Sequence, residues 1–407
     1  MLGCVGNVNA ASVTSVASRT GIEIKGLTRR YGSVAAVDEL DLSIAPGEFF
    51  TLLGPSGCGK STTLRIVAGL EDPTRGTVQL GAEDVTSTAP ERRDVSMVFQ
   101  DYALFPHMNV LENVRFPLRM KHVSKTEGRA RALEMLAIVG LAGMGDRRPD
   151  QISGGQRQRA ALARSLVWQP KALLLDEPLA ALDYQLRQGM QTMLKDLQRQ
   201  VGITFLYVTH DQTEAFAMSD RLGVMRDGRL EQVGTPRELY DRPENLFVAT
   251  FIGRTNLVSG SVLATDGHRI RIQVGEAVID ARTPSWQPAE RTRVLVGVRP
   301  EFVGWTADEG VRTGLGSNML TGRITQMTFH GSTVETCVEL PSGETWRCVC
   351  LGNAPAPSPA ADGRIGLTWE PDRSLVFQPE EVAASDSAMT DLEHRSPSGS
   401  PIVGIGG

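Results

Sequence analysis

Apolar residues in the first half of the chain come in short unbroken runs separated by stretches of helical spacing. Phe49, Phe50, Leu52 and Leu53 make one run, a buried-strand pattern, and a glycine-rich turn follows it. Across residues 60–70 the spacing of Leu64, Val67 and Ala68 predicts a helix. Residues 129–139 predict another, with Ala132, Leu133, Leu136 and Ala137 on one side. Residues 171–175 form an apolar strand that ends in Asp176-Glu177-Pro178, and residues 203–209 form a β-branched and aromatic one. Apolar strands alternating with helices predict a mainly parallel sheet covered on both faces. Residues 221–233 predict a hairpin turned at Asp227-Gly228, a pair favoured in two-residue turns. Thr235, Pro236 and Glu238 then mark a helix start, as cap, first helical position and capping box.

After about Pro243 the period changes. Short alternating stretches such as 268–274, 294–298, 333–340 and 344–350 are separated by Gly, Pro and Asp-Gly turns. They predict an all-β domain, a small barrel or a pair of barrels. The expected organisation is a loose arm over residues 1–20 and an α/β domain over 21–244 with a helical subdomain at about 101–168. A β-barrel domain over 245–378 and an acidic, disordered tail over 379–407 follow.

Composition narrows the classes. A length of 407 residues suits two domains, and hydrophobic and charged fractions of 41% and 22% are ordinary for a globular protein. A formal net charge of -5 and a pI of about 5.8 argue against binding nucleic acid by neutralising phosphates. No apolar run reaches the ~18 residues of a membrane span, and residues 1–18 lack the basic start and apolar block of a secretory signal. Cys4, Cys58, Cys337, Cys348 and Cys350 form no C-x-x-C pair, a usage that suits a reducing cytosol and offers no metal site.

The chemistry begins at the first turn. Gly54-Pro55-Ser56-Gly57-Cys58-Gly59-Lys60-Ser61 matches the phosphate-loop pattern G-x-x-x-x-G-K-[ST] between a predicted strand and a predicted helix. Its glycines let backbone N–H groups curl round a phosphate, and the helix adds the positive end of its dipole. Lys60 is the candidate ligand of the β- and γ-phosphates, and Ser61 of Mg²⁺. Cys58 lies inside the loop, so its thiol is expected to meet bulky reagents that block nucleotide entry. The loop alone says only that a nucleotide binds, as in GTPases, kinases and many ATPases. Asp176 and Glu177 end an apolar strand that would aim them at the loop, as candidate holder of Mg²⁺ and candidate base for the attacking water.

Ile152-Ser153-Gly154-Gly155-Gln156 resembles the signature motif of the ATP-binding-cassette family, L-S-G-G-Q, with Ile152 in place of Leu. Ser153 and the glycine N–H groups precede a helix whose positive end suits a γ-phosphate. The resemblance is dense over residues 21–245, weaker to about 378, and implies roles for further residues. Gln100 would sense the γ-phosphate and touch Mg²⁺, and Asp183 would communicate across a dimer. His210 would contact the γ-phosphate, Tyr31 would stack on adenine, and Thr62 would join the nucleotide contacts of the loop. Ala180 stands where many relatives carry Ser, so a hydroxyl role there is absent.

The stretch from Asp101 through Phe105, Pro106 and His107 to Glu112-Asn113-Val114 is similar to the importer subgroup that serves sugars, polyamines and ferric iron. There it forms a groove for a cytoplasmic helix of the permease, in which Leu104, Phe105 and Met108 are expected to be exposed. Gly297-Val298-Arg299-Pro300-Glu301 resembles a segment of the appended oligosaccharide-binding-type regulatory domain. Phe251-Ile252-Gly253-Arg254-Thr255-Asn256 and Gly366-Leu367-Thr368-Trp369 look closest to spermidine/putrescine importers. Exporters with fused membrane helices, relatives with long coiled coils between the two phosphate motifs, and two-cassette translation factors do not fit.

The resemblance thus implies a homodimer around two ATP molecules and Mg²⁺. Lys60, Ser61, Gln100, Asp176, Glu177 and His210 of one chain would face Ser153, Gly154, Gly155 and Gln156 of the other. It implies permease subunits and, through them, an extracytoplasmic solute-binding protein as partners, with no nucleic acid, at the cytoplasmic face of the cell inner membrane. The same machine serving ferric iron, sugar or another small solute, and a soluble regulatory ATPase without a permease, are the alternatives.

Overall fold

A computed structural model describes residues 20–99, 102–180, 182–306, 317–353 and 363–378. The expected arm ahead of Thr20 and the expected tail after residue 378 lie outside the described residues. Two compact units divide the chain, residues 1–237 and 238–407. The division falls ahead of the boundary expected after residue 244. The reason is Tyr240, whose carbonyl accepts a hydrogen bond from the Arg299 guanidinium at 3.2 Å and whose ring lies 4.4 Å beneath it.

The first unit opens with β1 (Ile22–Tyr31), β2 (Val34–Ile44), β3 (Phe49–Leu53) and α1 (Lys60–Ala68). Then come β4 (Arg75–Leu80), β5 (Glu83–Asp84), β6 (Val95–Val98), α2 (Val110–Met120), α3 (Lys125–Ile138) and α4 (Gly154–Leu166). It closes with β7 (Ala172–Asp176), α5 (Tyr184–Val201), β8 (Thr204–Thr209), α6 (Gln212–Met218), β9 (Arg221–Arg226) and β10 (Arg229–Gly234). Among the described residues, one sheet has the order β10-β9-β3-β8-β7-β6, parallel except for its β9–β10 edge, and a second, antiparallel sheet runs β2-β1-β4-β5.

Strands β3, β7 and β8 lie inside the parallel sheet and are buried along their length, which is why their sequences show no polar alternation. Their side chains divide by parity. Phe49, Leu173, Leu175, Phe205 and Tyr207 enter a core shared with α2 to α5. Phe50, Leu52, Ala172, Leu174, Leu206 and Val208 enter a core shared with α1 and the antiparallel sheet. The predicted hairpin is present: Asp227 and Gly228 both have left-handed backbone, φ 49° and 81°, as a two-residue turn requires. In α3 the buried face differs from the expected one. Ala132, Met135 and Leu136 face the core, whereas Leu133 is 44% exposed.

The second unit is mainly β. A short helix, α7 (Pro236–Asp241), begins at the predicted proline and leads into it, followed by α8 (Leu246–Phe251). Among the described residues its strands form two five-stranded antiparallel sheets. Both contribute to one core, in which the Trp346 and Trp369 rings lie 5.2 Å apart. Arg299 is fully buried there and donates to the carbonyls of Ala249 and Gly253 at 2.5 and 3.1 Å. Burial pushes its pKa below the usual arginine value.

Candidate active site

The parallel strands end together. Leu53 of β3 pairs with Thr209 of β8, and Asp176 of β7 pairs with Val208, so the segments that follow β3, β7 and β8 leave the sheet along one edge. After β3 the chain turns through residues 54–59 into α1. Gly57 and Gly59 have φ 82° and 101°, a region that favours glycine. A Cβ on Gly59 would sit 2.2 Å from the Ala36 carbonyl oxygen, and one on Gly54 would sit 2.4 Å from that of Met225. Lys60 is buried and its ammonium donates to the carbonyls of Gly54 and Pro55, each at 2.8 Å. Thr62 lies in the first turn of α1, half-buried.

The Ser61 hydroxyl donates to the Asp176 carboxylate at 2.8 Å, so the loop and the end of β7 meet through two oxygen-bearing side chains. Beside them Glu177 has φ 44°, and its N–H donates to the Val208 carbonyl at 3.1 Å. Glu177 Oε1 lies 3.2 Å from His210 Nδ1. His210 stands between Thr209 and Asp211. Asp211 caps α6 by accepting from the N–H groups of Thr213 and Glu214 at 2.8 and 3.2 Å. Burial pushes its carboxyl up, but these hydrogen bonds, the Thr213 hydroxyl and Arg187 outweigh it and hold the pKa below the usual value. Glu214, buried behind it, accepts from the hydroxyls of Tyr207 and Thr209, both at 2.7 Å. Desolvation raises the pKa of Glu214 and carries that of Tyr207 well above its ordinary value.

Ser153 caps α4. Its hydroxyl accepts from the Gln156 N–H at 3.3 Å, and its own N–H donates to the Gln156 side chain at 2.9 Å, a reciprocal capping box. Gly154 and Gly155 open the helix, and a Cβ on either would meet no atom within 4 Å. Among the described residues no hydrogen bond joins this helix start to the loop at 54–61.

These elements have counterparts. A family model described as ABC transporter matches residues 37–180, and a TOBE domain model matches residues 296–377. Over 383 residues the chain is 47% identical to the spermidine/putrescine import ATP-binding protein PotA of Frankia alni, spanning 90% of this chain and 81% of that one. It is 48% identical over 359 residues to the protein of the same name from Rubrobacter xylanophilus, spanning 88% and 93% of the two chains. The PotA of Mannheimia succiniciproducens is 45% identical over 371 residues, 90% and 98%. This chain belongs to the ABC transporter family. It is an ATPase with an ATP-binding cassette followed by a TOBE domain. Among the described residues no helix is long and apolar enough to cross a membrane.

Within the cassette, Lys60, Ser61, Asp176, Glu177 and His210 gather at the sheet edge, while Ser153 to Gln156 stand at the start of α4. Gln100 lies outside the described residues. Asp183 caps α5, accepting from the Leu186 N–H at 2.9 Å. Tyr31 ends β1 and is 49% exposed, its hydroxyl bonded to Glu71 and its ring 4.8 Å from the Arg29 guanidinium. Cys58 corrects an expectation: the thiol is buried beside Lys60, 3.7 Å from its ammonium, rather than open to reagents. Burial raises its pKa despite that cation. Leu104, Phe105 and Met108, expected to be exposed, are half-buried. Phe105 packs on Phe116 at 4.7 Å, and buried Asn113 bonds both the N–H and the carbonyl of Phe105, at 2.8 and 3.1 Å. Arg187, Asp211 and Glu214 were not singled out by the sequence. Asp211-Gln212-Thr213-Glu214 does carry a helix-cap spacing that marks Asp211, but no local signal links Arg187 to it.

Proposed function

We propose that this chain powers import of a polyamine of the spermidine/putrescine class, acting as a homodimer bound to permease subunits at the cytoplasmic face of the membrane. The likeness to import ATP-binding proteins of that name, which runs through both units, supports the substrate class. The contact between Glu177 and His210 at 3.2 Å, beside the Ser61–Asp176 pair, supports the hydrolytic role.

In this reading the N–H groups of the loop at 54–59 cradle the phosphates of ATP, and Lys60 turns its ammonium from the loop carbonyls to the β- and γ-phosphates. Ser61 and Asp176 supply two hard oxygen donors at hydrogen-bonding distance, a set that suits Mg²⁺, which usually keeps several waters and takes phosphate oxygens for the rest. Bound there, Mg²⁺ neutralises phosphate charge. Glu177 orients the attacking water and accepts its proton, and His210 reaches the γ-phosphate. Ser153, Gly154, Gly155 and Gln156 of the second chain close the site with a helix N-terminus. Placement and charge stabilisation do most of the work.

Two experiments test this. In a strain lacking the gene, uptake of labelled spermidine or putrescine should fall, and the wild-type chain but not Glu177→Gln should restore it. Unchanged polyamine uptake with lost ferric-iron or sugar uptake would overturn the substrate, and normal uptake of every solute would favour a regulatory ATPase. For the dimer, Lys60→Ala and Ser153→Arg chains, each nearly inactive alone, should regain part of their ATP turnover when mixed and purified as a hetero-pair. A hetero-pair as inactive as its parents would overturn head-to-tail sharing of two independent sites.

A further inference from the structure

Arg187 lies in the first turn of α5, four peptide units past the Asp183 cap, with its N–H bonded to the Asp183 carbonyl at 2.9 Å. Its guanidinium spans two separate segments of the site. One nitrogen donates to the Leu182 carbonyl at 3.1 Å, next to the Asp183 cap of α5 and in the stretch between Glu177 and that helix. Another donates to the Asp211 carboxylate at 3.0 Å, and the Nε faces Glu214 at 3.7 Å. The Asp211 N–H donates to the Thr209 hydroxyl at 3.0 Å, and that hydroxyl donates to Glu214. Both neighbours of His210 in the chain therefore belong to the network that Arg187 neutralises, while the side chain of His210 stays 57% exposed, outside it and against Glu177.

We propose that Arg187 is a positioning residue for ATP hydrolysis, a clamp that ties Leu182, at the start of the turn into α5, to the His210 loop and so fixes Glu177 and His210 against each other. The proposal rests on the roles assigned to those two residues. The planar guanidinium hydrogen-bonds a carbonyl and the Asp211 carboxylate at once and lies 3.7 Å from the Glu214 carboxylate, whereas a lysine ammonium would keep the charge and lose the span. Without the cation, Asp211 and Glu214 repel each other next to His210, and the Leu182 carbonyl is released. A displacement of about 1 Å in a catalytic group is enough to lower turnover about 100-fold.

The test uses the full chain. Arg187→Met should lower kcat for ATP by about 100-fold while KM shifts by no more than about twofold, since the loop that binds phosphate is untouched. Binding stoichiometry for a fluorescent ATP analogue, measured on the same preparations, should match wild type. Arg187→Lys should recover part of kcat. In a His210→Ala background, single-turnover hydrolysis of radiolabelled ATP should respond to Arg187→Met by a clearly smaller factor than in the wild-type background, because the Glu177–His210 contact that the clamp fixes is already gone. An equal loss in both backgrounds, or wild-type kcat in Arg187→Met, would overturn the clamp. If Arg187→Met fails to fold, Asp211→Asn, which keeps an acceptor for Arg187 and for the α6 cap but loses the charge, should lower kcat in the same direction by a smaller factor, and wild-type kcat in that variant would overturn the clamp. Glu177→Gln serves as the control: normal turnover in that variant would sink the catalytic reading itself rather than the role of Arg187.

Discussion

The glycines of the loop at 54–59 and of the α4 start stand in opposite physical situations, and alanine substitution should separate them. Gly59 has no room, since its Cβ would lie 2.2 Å from the Ala36 carbonyl oxygen on a backbone of φ 101°. Gly154 and Gly155 have room, with no atom within 4 Å of either Cβ, and both already lie in a helix. Gly154 and Gly155 are the first two helical positions, where alanine gains at most the ~0.5–1 kcal/mol of a helix interior. In a cooperative unit of this size that sets an upper bound of roughly 4 °C on the rise in Tm for Gly154→Ala or Gly155→Ala. Gly59→Ala should instead lower Tm by about 5 °C or more, from backbone strain of ~1–3 kcal/mol plus the overlap. Activity should run against stability in the helix pair. If the start of α4 must approach a γ-phosphate closely, an added methyl group should lower ATP turnover by roughly 100-fold, the scale on which one lost oxyanion donor acts. Circular dichroism melts and a steady-state phosphate-release assay on the same samples read both quantities. Stable Gly154→Ala and Gly155→Ala proteins with normal turnover would refute the phosphate-facing role of the motif. A fall in Tm for either would refute the claim that the fold leaves those Cβ positions free.

Three further outcomes follow from the same geometry. Glu177→Gln should keep ATP binding and lose at least about 100-fold in turnover, the range of general-base effects; equilibrium binding and phosphate release check it. A bulky maleimide at neutral pH should modify half-buried Cys337 or Cys350 well before Cys58, whose thiol is buried with a raised pKa, and mass spectrometry of peptides should show the order lost after unfolding. Arg299→Met should destabilise the TOBE-containing unit by several kcal/mol, as it removes the guanidinium that donates to the carbonyls of Ala249, Gly253 and Tyr240; a separate, earlier melting transition with ATP binding retained is the expected readout.

Much of the cassette is legible in the sequence because its central strands are buried on both sides. Ala172 to Leu175 could be placed without any tertiary knowledge, since only a doubly covered strand tolerates such a run. The Asp227-Gly228 turn was equally plain, being dictated by two left-handed backbones. Reading failed where packing decides between apolar residues. In α3 the periodicity offered Leu133 and Ala137 as core, but the face packed into the core carries Ala132, Met135 and Leu136. Phe105 looked like an exposed groove residue because its partners, Phe116 and Asn113, come from the following helix, α2. Cys58 was judged by its loop, and loops usually lie outside; here the sulfur turns toward Lys60 and Gly54, into the core shared with β3 and β8. Arg187 was invisible for a different reason. Its partners lie on α6 and on the preceding turn, and nothing in a helix-surface arginine says which carboxylates it will meet.

Glu177 brings these threads to one residue. Its φ of 44° places an ordinary L side chain in left-handed backbone, where Cβ meets the carbonyl at a cost of roughly 1–2 kcal/mol and where glycine or asparagine would sit more easily. Two backbone hydrogen bonds enforce that geometry, from the Glu177 N–H to Val208 and from the Ala180 N–H to the Glu177 carbonyl, at 3.1 and 3.2 Å. The residue is held against its own preference at the point where the β7 edge meets His210, and what it contributes there is a carboxylate that neither glycine nor asparagine could supply. The glycines argue in the same direction. Gly54 and Gly59 of the phosphate loop are required by neighbours in their own chain and Gly57 by its left-handed backbone, whereas neither cause applies to Gly154 and Gly155. A helix N-terminus kept bare at the expense of helix stability implies a ligand or a second chain approaching from outside, which is why the two motifs are best tested in mixed dimers rather than in single variants.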